Sequence, residues 1–507
     1  MGGSRGTNQS IGSKRYSAPK QIEGVGDGQR AIGVTHITLE AREPTHGTWW
    51  REGVARLLEL QEGKMASLPT LKTVSTKQAQ IAKIAKQMPE TGLRSVSHHI
   101  DLAWMREAYR LTRKDSAVGI DGQTATVFAE NLEENLQSLL DRAKSGSYRA
   151  PPVRRVYIPK GDGVSTRPIG IPTFEDKVLQ RAVVMLLEPI YEETFYDFSL
   201  GFRKGRSPHH ASEMLHKGIW NMGGGVVLDA DIQGFFDALD HKVLRDLLRK
   251  RVVDGVVVRL IGKWLRAGVM EEGRIVRPDL GSPQGGVISP VLANIYLHAV
   301  IDEWWAKMVM PRMRGKAFMV RFADDFVMVF SNQRDAERVF EVLPKRTERF
   351  GLTLHPEKTR LLRHYRPRDQ QKEDRYESFN FLGFTHFWGL SRKGQWIPKR
   401  KTAKDRFKRA LRAINWWLRR LRHLSVPEQA RQLGEKLRGH YGYYGVVGNI
   451  AALCQFNHEV KCLWRKWLGR RSQRAELNWE QFNRLLVRHP LPRPRLRPYR
   501  RPSSERT

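Results

Sequence analysis

Residues Val320 to Phe330 read VRFADDFVMVF, an apolar, β-branched run broken by two adjacent carboxylates, Asp324 and Asp325. Apolar segments flank the pair on both sides, so the spacing predicts a β-hairpin with the acids at its turn. Two acids beside buried strands are costly unless something cationic offsets them. A hard divalent ion is the efficient answer, because Mg²⁺ prefers carboxylate oxygens. Asp-Asp turns are common, so this segment alone constrains the fold without assigning a function.

A second stretch has the same character. Val226 to Asp231 reads VVLDAD and continues as IQGFFDALDH. In a strand, Asp229 and Asp231 share one face and Ala230 takes the other. Two apolar strands that each end in carboxylates can converge on two metal ions about 4 Å apart, which stabilise both oxygens of an in-line phosphoryl transfer. A polymerase, a nuclease and a nucleotide cyclase all use such a centre. Gly281 to Pro290, GSPQGGVISP, precedes the helical VLANIYLHAVIDEWW. Gly285 and Gly286 permit close approach by a template or nucleotide backbone, and Gln284 offers an amide beside them.

Charge narrows the partners. The 507 residues carry a formal net charge of +35. Residues 391–507 alone hold a net +23, with Trp416, Trp417, Tyr441, Tyr443, Tyr444, Trp464 and Trp467 interleaved. Basic groups neutralise phosphates, and the aromatics either stack on bases or pack between helices. So large a positive field argues against an ordinary enzyme of small metabolites. The spread of 20 Phe, 14 Trp and 13 Tyr argues against a disordered chain. Cys454 and Cys462 are too few for a disulfide framework or a four-cysteine zinc site. No apolar run approaches a membrane span, and the N-terminus lacks the apolar core of a signal peptide. The expected protein is soluble and cytoplasmic and binds a polyanion.

Organisation follows from composition and periodicity. Residues 1–74 read as a flexible extension rich in Gly, Ser and Thr. Helical patterns begin at Lys77–Met88 and continue over His99–Leu111 and Leu132–Ala143. VRRVYIPKG predicts a strand, with a turn at Gly161–Gly163. After Pro490 the Pro/Arg-rich LPRPRLRPYRRP cannot form a regular core and reads as an extended arm or a disordered end.

Eight blocks then carry a resemblance. IPKGDGVSTRPIGIPTFEDKVLQ (158–180), GFRKGRSPHHA (201–211), LDADIQGFFDALDH (228–241), GSPQGGVISPVLANIYL (281–297), RFADDFVMVF (321–330), GLTLHPEKT (351–359) and FNFLGF (379–384) follow one another. Together they resemble the reverse transcriptase domain of group II intron-encoded proteins. RGHYGYYGVVGNIA (438–451) is similar to the maturase-specific domain that follows it. The likeness runs from about residue 75 to about residue 470.

The resemblance implies an α+β, right-hand polymerase fold of fingers, palm with an antiparallel sheet, and thumb. Fingers and palm would span residues 75–390, a helical maturase-type domain 391–475, and a basic tail 476–507. It implies RNA-directed DNA synthesis with Mg²⁺, two ions per site. Asp231, Asp324 and Asp325 match the catalytic carboxylates, and with Ile232 they form the metal-binding set. Asp229 is a candidate outer ligand. Phe322 stands where the family usually has Tyr, which keeps the ring and loses the hydroxyl. Lys160, Arg167 and Gln284 match positions around the incoming nucleotide. Lys358 is the candidate proton donor to pyrophosphate. One of Phe235 and Phe236 should exclude a 2′-hydroxyl, and the family's matching position favours Phe235. Arg203, Lys204, Arg206, Gly285 and Gly286 are expected against nucleic acid, while His209 and His210 are not expected to bind zinc. Implied partners are intron RNA, a DNA primer or target, and dNTPs; the partners include no membrane and leave a homodimer open. Many members add an HNH endonuclease with paired cysteines, and this chain lacks Cys-x-x-Cys, so cleavage of the second strand is not expected of it. A splicing cofactor independent of polymerisation, and a host-adopted reverse transcriptase in defence or repair, are the alternatives.

Overall fold

Alternation at period two builds the central sheet. In Gly224–Asp231, Val226, Leu228 and Ala230 enter one core, while Val227 enters another on the opposite face. Strand 325–330 does the same with Phe326, Met328 and Phe330 on the first side and Val327 and Val329 on the second. A strand buried on both faces reads as a nearly continuous apolar run, which explains the unbroken hydrophobicity of both segments.

The computed structural model describes residues 69–159, 165–271, 274–276, 281, 285–367, 376–471 and 477–497, all within one unit, His46–Thr507. The chain opens with α1 (Pro69–Gln87), α2 (Leu102–Leu111), α3 (Ala125–Glu130) and α4 (Leu132–Ser145), then β1 (Val153–Pro159) and β2 (Thr166–Ile171). Helices α5 (Phe174–Glu192) and α6 (Pro208–Met222) lead into β3 (Gly224–Asp231). Next come α7 (His241–Arg249), α8 (Gly255–Leu265), β4 (Val269–Glu271), β5 (Arg274–Val276) and α9 (Ser289–Leu297). The hairpin β6 (Ala317–Phe322) and β7 (Asp325–Phe330) precedes α10 (Gln333–Glu348), β8 (Arg360–Tyr365), β9 (Phe379–Phe381), β10 (Phe384–Leu390) and β11 (Trp396–Thr402). The last described helices are α11 (Lys404–Arg420), α12 (Val426–Tyr444), α13 (Ile450–Gly469) and α14 (Trp479–Arg488).

Among the described residues the strands form three sheets, ordered β2-β1-β4-β5, β6-β7-β3-β8 and β11-β10-β9. The second is antiparallel throughout. Mixed helices and mainly antiparallel strands match the expected α+β class. No described helix is long and apolar enough to cross a membrane.

Several boundaries differ from expectation. Helix α1 begins at Pro69, ahead of the pattern that starts at Lys77. The β10–β11 hairpin straddles the boundary placed at residue 390, because Phe384 to Leu390 pairs residue for residue with Thr402 to Trp396. The segment read as a basic tail from 476 contains α14, which starts in a capping box of Asn478 and Gln481 and buries Phe482 in the C-terminal helical core. The Pro/Arg arm is extended as expected but docked: Leu491 is buried, and the Arg497 amide donates to the Gly445 carbonyl at 2.6 Å. The arm beyond Arg497, the turn at Gly161–Gly163 and the extension before residue 69 lie outside the described residues.

Helix α5 is apolar nearly all round and sits in the main core. Its Asp176 is buried, accepting hydrogen bonds from the Tyr148 hydroxyl and, at 2.8 Å, from the Trp264 indole. The carboxylate thereby joins α5 to α8 and to the segment after α4. Burial pushes the Asp176 carboxyl up to about 7. The folded state therefore binds this proton more tightly than the unfolded chain. The stabilisation is full below the ordinary carboxylate range and is lost as pH rises towards 7. Asp176→Asn keeps an acceptor for both donors, so its melting temperature should vary less than the wild type's between pH 4 and 7 and exceed it at pH 8. Thermal melts across that range check this; parallel curves for the two proteins would contradict it.

Candidate active site

Strand register decides where the acids meet. Strand β3 pairs with β7 so that Asp231 lies opposite Asp325 and Asp229 opposite Val327. Ala323 and Asp324 form the two-residue turn between β6 and β7, and Asp325 is the first residue of β7. Asp229, Asp231 and Asp325 lie on the sheet face shared by Val227, Val327 and Val329. The valines fill a core on that face, and the carboxylates take over where that core ends.

Like charges opposite each other destabilise a strand pair, and cations from β8 and the loop before it lie close to these acids. Lys358 donates to Asp231 Oδ2 at 2.6 Å, and Arg360 Nε lies 3.7 Å from Asp229 Oδ2. Burial nevertheless pushes the Asp229 carboxyl up to about 6, with the Arg360 charge opposing the rise. The four aspartates, Arg167, Phe236, Gly285, Gly286 and Lys358 all line one cavity of about 630 Å³. Its wall also includes Asn380 and Arg406, which sequence reasoning missed. Arg406 lies in the first turn of α11, with no local signal to mark it.

Among the described residues, no three His, Cys, Asp or Glu side chains converge tightly enough to hold a metal ion. The donor set itself is suited to one. It is all carboxylate oxygen, a hard donor type, and it borders an open cavity. An ion there would compete with the Lys358 ammonium for Asp231 Oδ2. Of the lining residues, Asp231, Asp324 and Asp325 would supply the oxygens if their side chains closed on an ion. The Ile232 side chain is buried. The ladder bonds beside it run from the His355 amide to the Asp231 carbonyl and from the Gln233 amide to the Thr353 carbonyl, both at 2.8 Å. Any contribution of Ile232 to a metal therefore falls to its backbone.

The remaining expected site residues divide sharply. Arg167 is exposed on β2 and faces the cavity. Lys160 and Gln284 lie outside the described residues. Gly281, before Gln284, is anchored: it donates to the Leu239 carbonyl at 2.7 Å, and His241 Nε2 contacts its carbonyl at 2.5 Å. A Cβ on Gly285 (φ +123°) would come within 2.5 Å of the Gly170 carbonyl of β2. The close approach that this glycine permits is thus by the chain's own strand, which seats the loop against β2.

Two of the expected residues are buried. Arg203 was expected to track a nucleic-acid backbone. It lines the aspartate cavity with Arg206, while its guanidinium is buried and bonded to both oxygens of Glu192, at 3.0 and 2.7 Å, and to the carbonyls of Tyr196 and Ser199. Lys204 is exposed beside it, and Arg206 is half-buried and paired with Asp197. Phe235 was favoured as the ring beside the sugar. It is 3% exposed and packs edge-on against Phe236 and Tyr296, whereas Phe236 reaches the cavity. The turn after β3 presents the two rings in different directions, and residue type alone does not reveal which points inward.

Known proteins resemble this chain. The family described as reverse transcriptase (RNA-dependent DNA polymerase) matches residues 158–386. Protein YkfC of Escherichia coli K12 is 36% identical over 257 residues, covering 45% of this chain and 67% of that protein. Group II intron-encoded protein LtrA of Lactococcus lactis subsp. cremoris is 42% identical over 183 residues, 36% of this chain and 30% of LtrA. Nuclear intron maturase 1, mitochondrial, of Arabidopsis thaliana is 29% identical over 133 residues, 24% of this chain and 18% of that protein. The match thus covers about two thirds of YkfC but less than a third of LtrA. With the ordered blocks and the paired carboxylates, these matches establish that the chain belongs to the group II intron-encoded reverse transcriptase and maturase family, a family of RNA-directed DNA polymerases.

Proposed function

We propose that this chain copies RNA into DNA in the cavity floored by Asp231, Asp324 and Asp325, and that it binds intron RNA to assist splicing and mobility. The observation that carries the reading is the register of Asp231 against Asp325, with Asp324 in the adjoining turn and Arg167 on the same cavity. Acids beside a cation-bearing wall suit a substrate with both a metal-bound end and a polyphosphate. In this reading the β6-β7-β3-β8 sheet is the palm. The β1–β2 hairpin with the N-terminal helices is the fingers, and α11–α14 form the thumb-like maturase domain.

Each residue then has a task. Asp231, Asp324 and Asp325 hold Mg²⁺, which when bound supplies positive charge to the attacking and leaving oxygens. Arg167, with Lys160, neutralises the triphosphate, where charge develops as the bond to pyrophosphate breaks. Lys358, already in the cavity, protonates the departing pyrophosphate. Phe236 packs against the sugar, and Gln284 contacts the nucleotide and template. Lys204 and Arg206 neutralise template phosphates.

The excess positive charge supports a nucleic-acid surface on α11. Its first turn places Arg406 in the cavity wall. Round the helix from it, Lys408, Arg412, Trp416 and Arg419 form an exposed row at helical spacing. Trp416 is 51% exposed with Arg420 5.4 Å from its ring centre, while Trp417, Trp464 and Tyr441 are buried in the helical core. The interleaved aromatics thus serve mainly as packing, and Trp416 remains as a surface for nucleic acid.

Three measurements test the reading. With poly(rA)/oligo(dT), dTTP and Mg²⁺, the wild type should extend the primer, and Asp324→Ala with Asp325→Ala should lower the rate roughly a thousandfold or more. Retained activity in that variant would sink the assignment. Phe236→Ala should raise incorporation of UTP relative to dTTP, whereas Phe235→Ala should lower stability by about 3–5 kcal/mol; the reverse pattern would make Phe235 the sugar gate. Affinity for an RNA–DNA duplex should fall steeply with salt, and Lys408→Ala or Arg412→Ala should each reduce the log–log slope by about 1. A slope equal to the wild type's in both variants would remove α11 from the binding surface.

A further inference from the structure

Arg321, two residues before the turn that carries Asp324, is fully buried, as is Asp302, its ion-pair partner. Its Nε and Nη2 donate to the two oxygens of Asp302 at 2.7 and 2.6 Å. Nη2 also donates to Ser199 Oγ at 2.5 Å, and Nη1 donates to Asn294 Oδ1 at 3.2 Å and to the Ala323 carbonyl at 3.0 Å. A guanidinium has five N–H donors, and these five acceptors use all of them. Only one of the five belongs to the hairpin, and it is the carbonyl of the peptide joining Ala323 to Asp324.

That peptide is under constraint from a second side. Ala323 has φ +59°, a left-handed conformation that a residue with a Cβ adopts at a cost. Gly201 presses on the same turn, for a Cβ there would lie 2.1 Å from the Ala323 nitrogen. The Gly201 carbonyl is held by Asn294 Nδ2 at 2.7 Å, and the Arg321 backbone pairs with Phe198 and Leu200 at 2.8 and 2.9 Å. The turn is therefore clasped between the Phe198–Gly201 segment and a buried charge network anchored on α9 and the helical stretch after it.

We infer that Arg321 is a positioning residue: its guanidinium fixes the strained Ala323–Asp324 peptide and so sets where the Asp324 and Asp325 carboxylates stand. A residue that only stabilised the core would be replaceable by apolar side chains, since exchanging a buried ion pair for hydrophobic residues of similar volume is often neutral or stabilising. A positioning residue is not, because a displacement of about 1 Å at reacting groups costs on the order of 100-fold in rate.

The test compares the wild type with Arg321→Lys and with the pair Arg321→Met/Asp302→Leu, which leaves no buried charge unpaired. Melting temperature reports folding, primer extension gives kcat and KM for dTTP, and electron paramagnetic resonance of Mn²⁺ reports metal affinity without turnover. The paired variant should fold, with a melting temperature below the wild type's because Ser199 Oγ, Asn294 Oδ1 and the Ala323 carbonyl lose their donor. Its kcat should fall on the order of 100-fold, with KM and duplex affinity changed less than about threefold, and it should bind Mn²⁺ more weakly. Arg321→Lys, which retains a cation for Asp302 but not the fork, should show the same split. A folded paired variant with wild-type kcat and Mn²⁺ affinity would overturn the inference. The kinetic part rests on the polymerase reading; if the wild type itself fails to extend a primer, that reading falls, and Mn²⁺ affinity alone judges Arg321.

Discussion

The pairing of Asp231 with Asp325 across two buried strands is the constraint to which the surrounding structure answers. Neither acid would be tolerated at such a position by the strands alone. Facing like charges oppose pairing, while the apolar residues on both faces of β3 and β7 hold the register firmly. A slip of one residue in β3 would exchange its residues between the two cores and turn Asp229 and Asp231 towards the main one. The hydrophobic cores thus fix the carboxylates in place, and Lys358 and Arg360 lower the electrostatic cost.

Around that pair, close backbone approach does much of the shaping. Gly201 lets one segment lie against the hairpin turn, and Gly285 lets the loop before α9 lie against β2. Buried polar groups lock the same elements. Arg203 ties the segment after α5 back to that helix, and Asp176 ties α5 to α8. These groups are satisfied by named partners, which is the condition under which burial of charge and polarity is tolerated. The cavity wall is consequently built on strands and on helices braced by the core.

The chain's own sequence made part of this legible. The aspartates announce themselves because acids interrupt apolar runs at period two. Their face-sharing follows from strand geometry, and the structure places Asp229, Asp231 and Asp325 as that geometry requires. Arg321 and Arg406 gave no such signal. An arginine is ordinary in a basic chain, and whether it faces solvent, a carboxylate or a backbone carbonyl depends on elements distant in sequence. Arg203 shows the converse: a basic Gly-rich loop suggested phosphate contact, yet Glu192, eleven residues earlier, takes its guanidinium.

Sequence by itself therefore determined the strands, their alternation, the acidic ends and the concentration of positive charge in the last quarter, because each is a local pattern of residue type. Tertiary structure alone decided which of Phe235 and Phe236 lines the cavity, which basic residues remain exposed, and that the Pro/Arg arm docks against α12. Those outcomes depend on what each side chain meets across the fold. A ring or a guanidinium has the same local propensity whether its partner is core, carboxylate or solvent, so only the packing of distant segments distinguishes them.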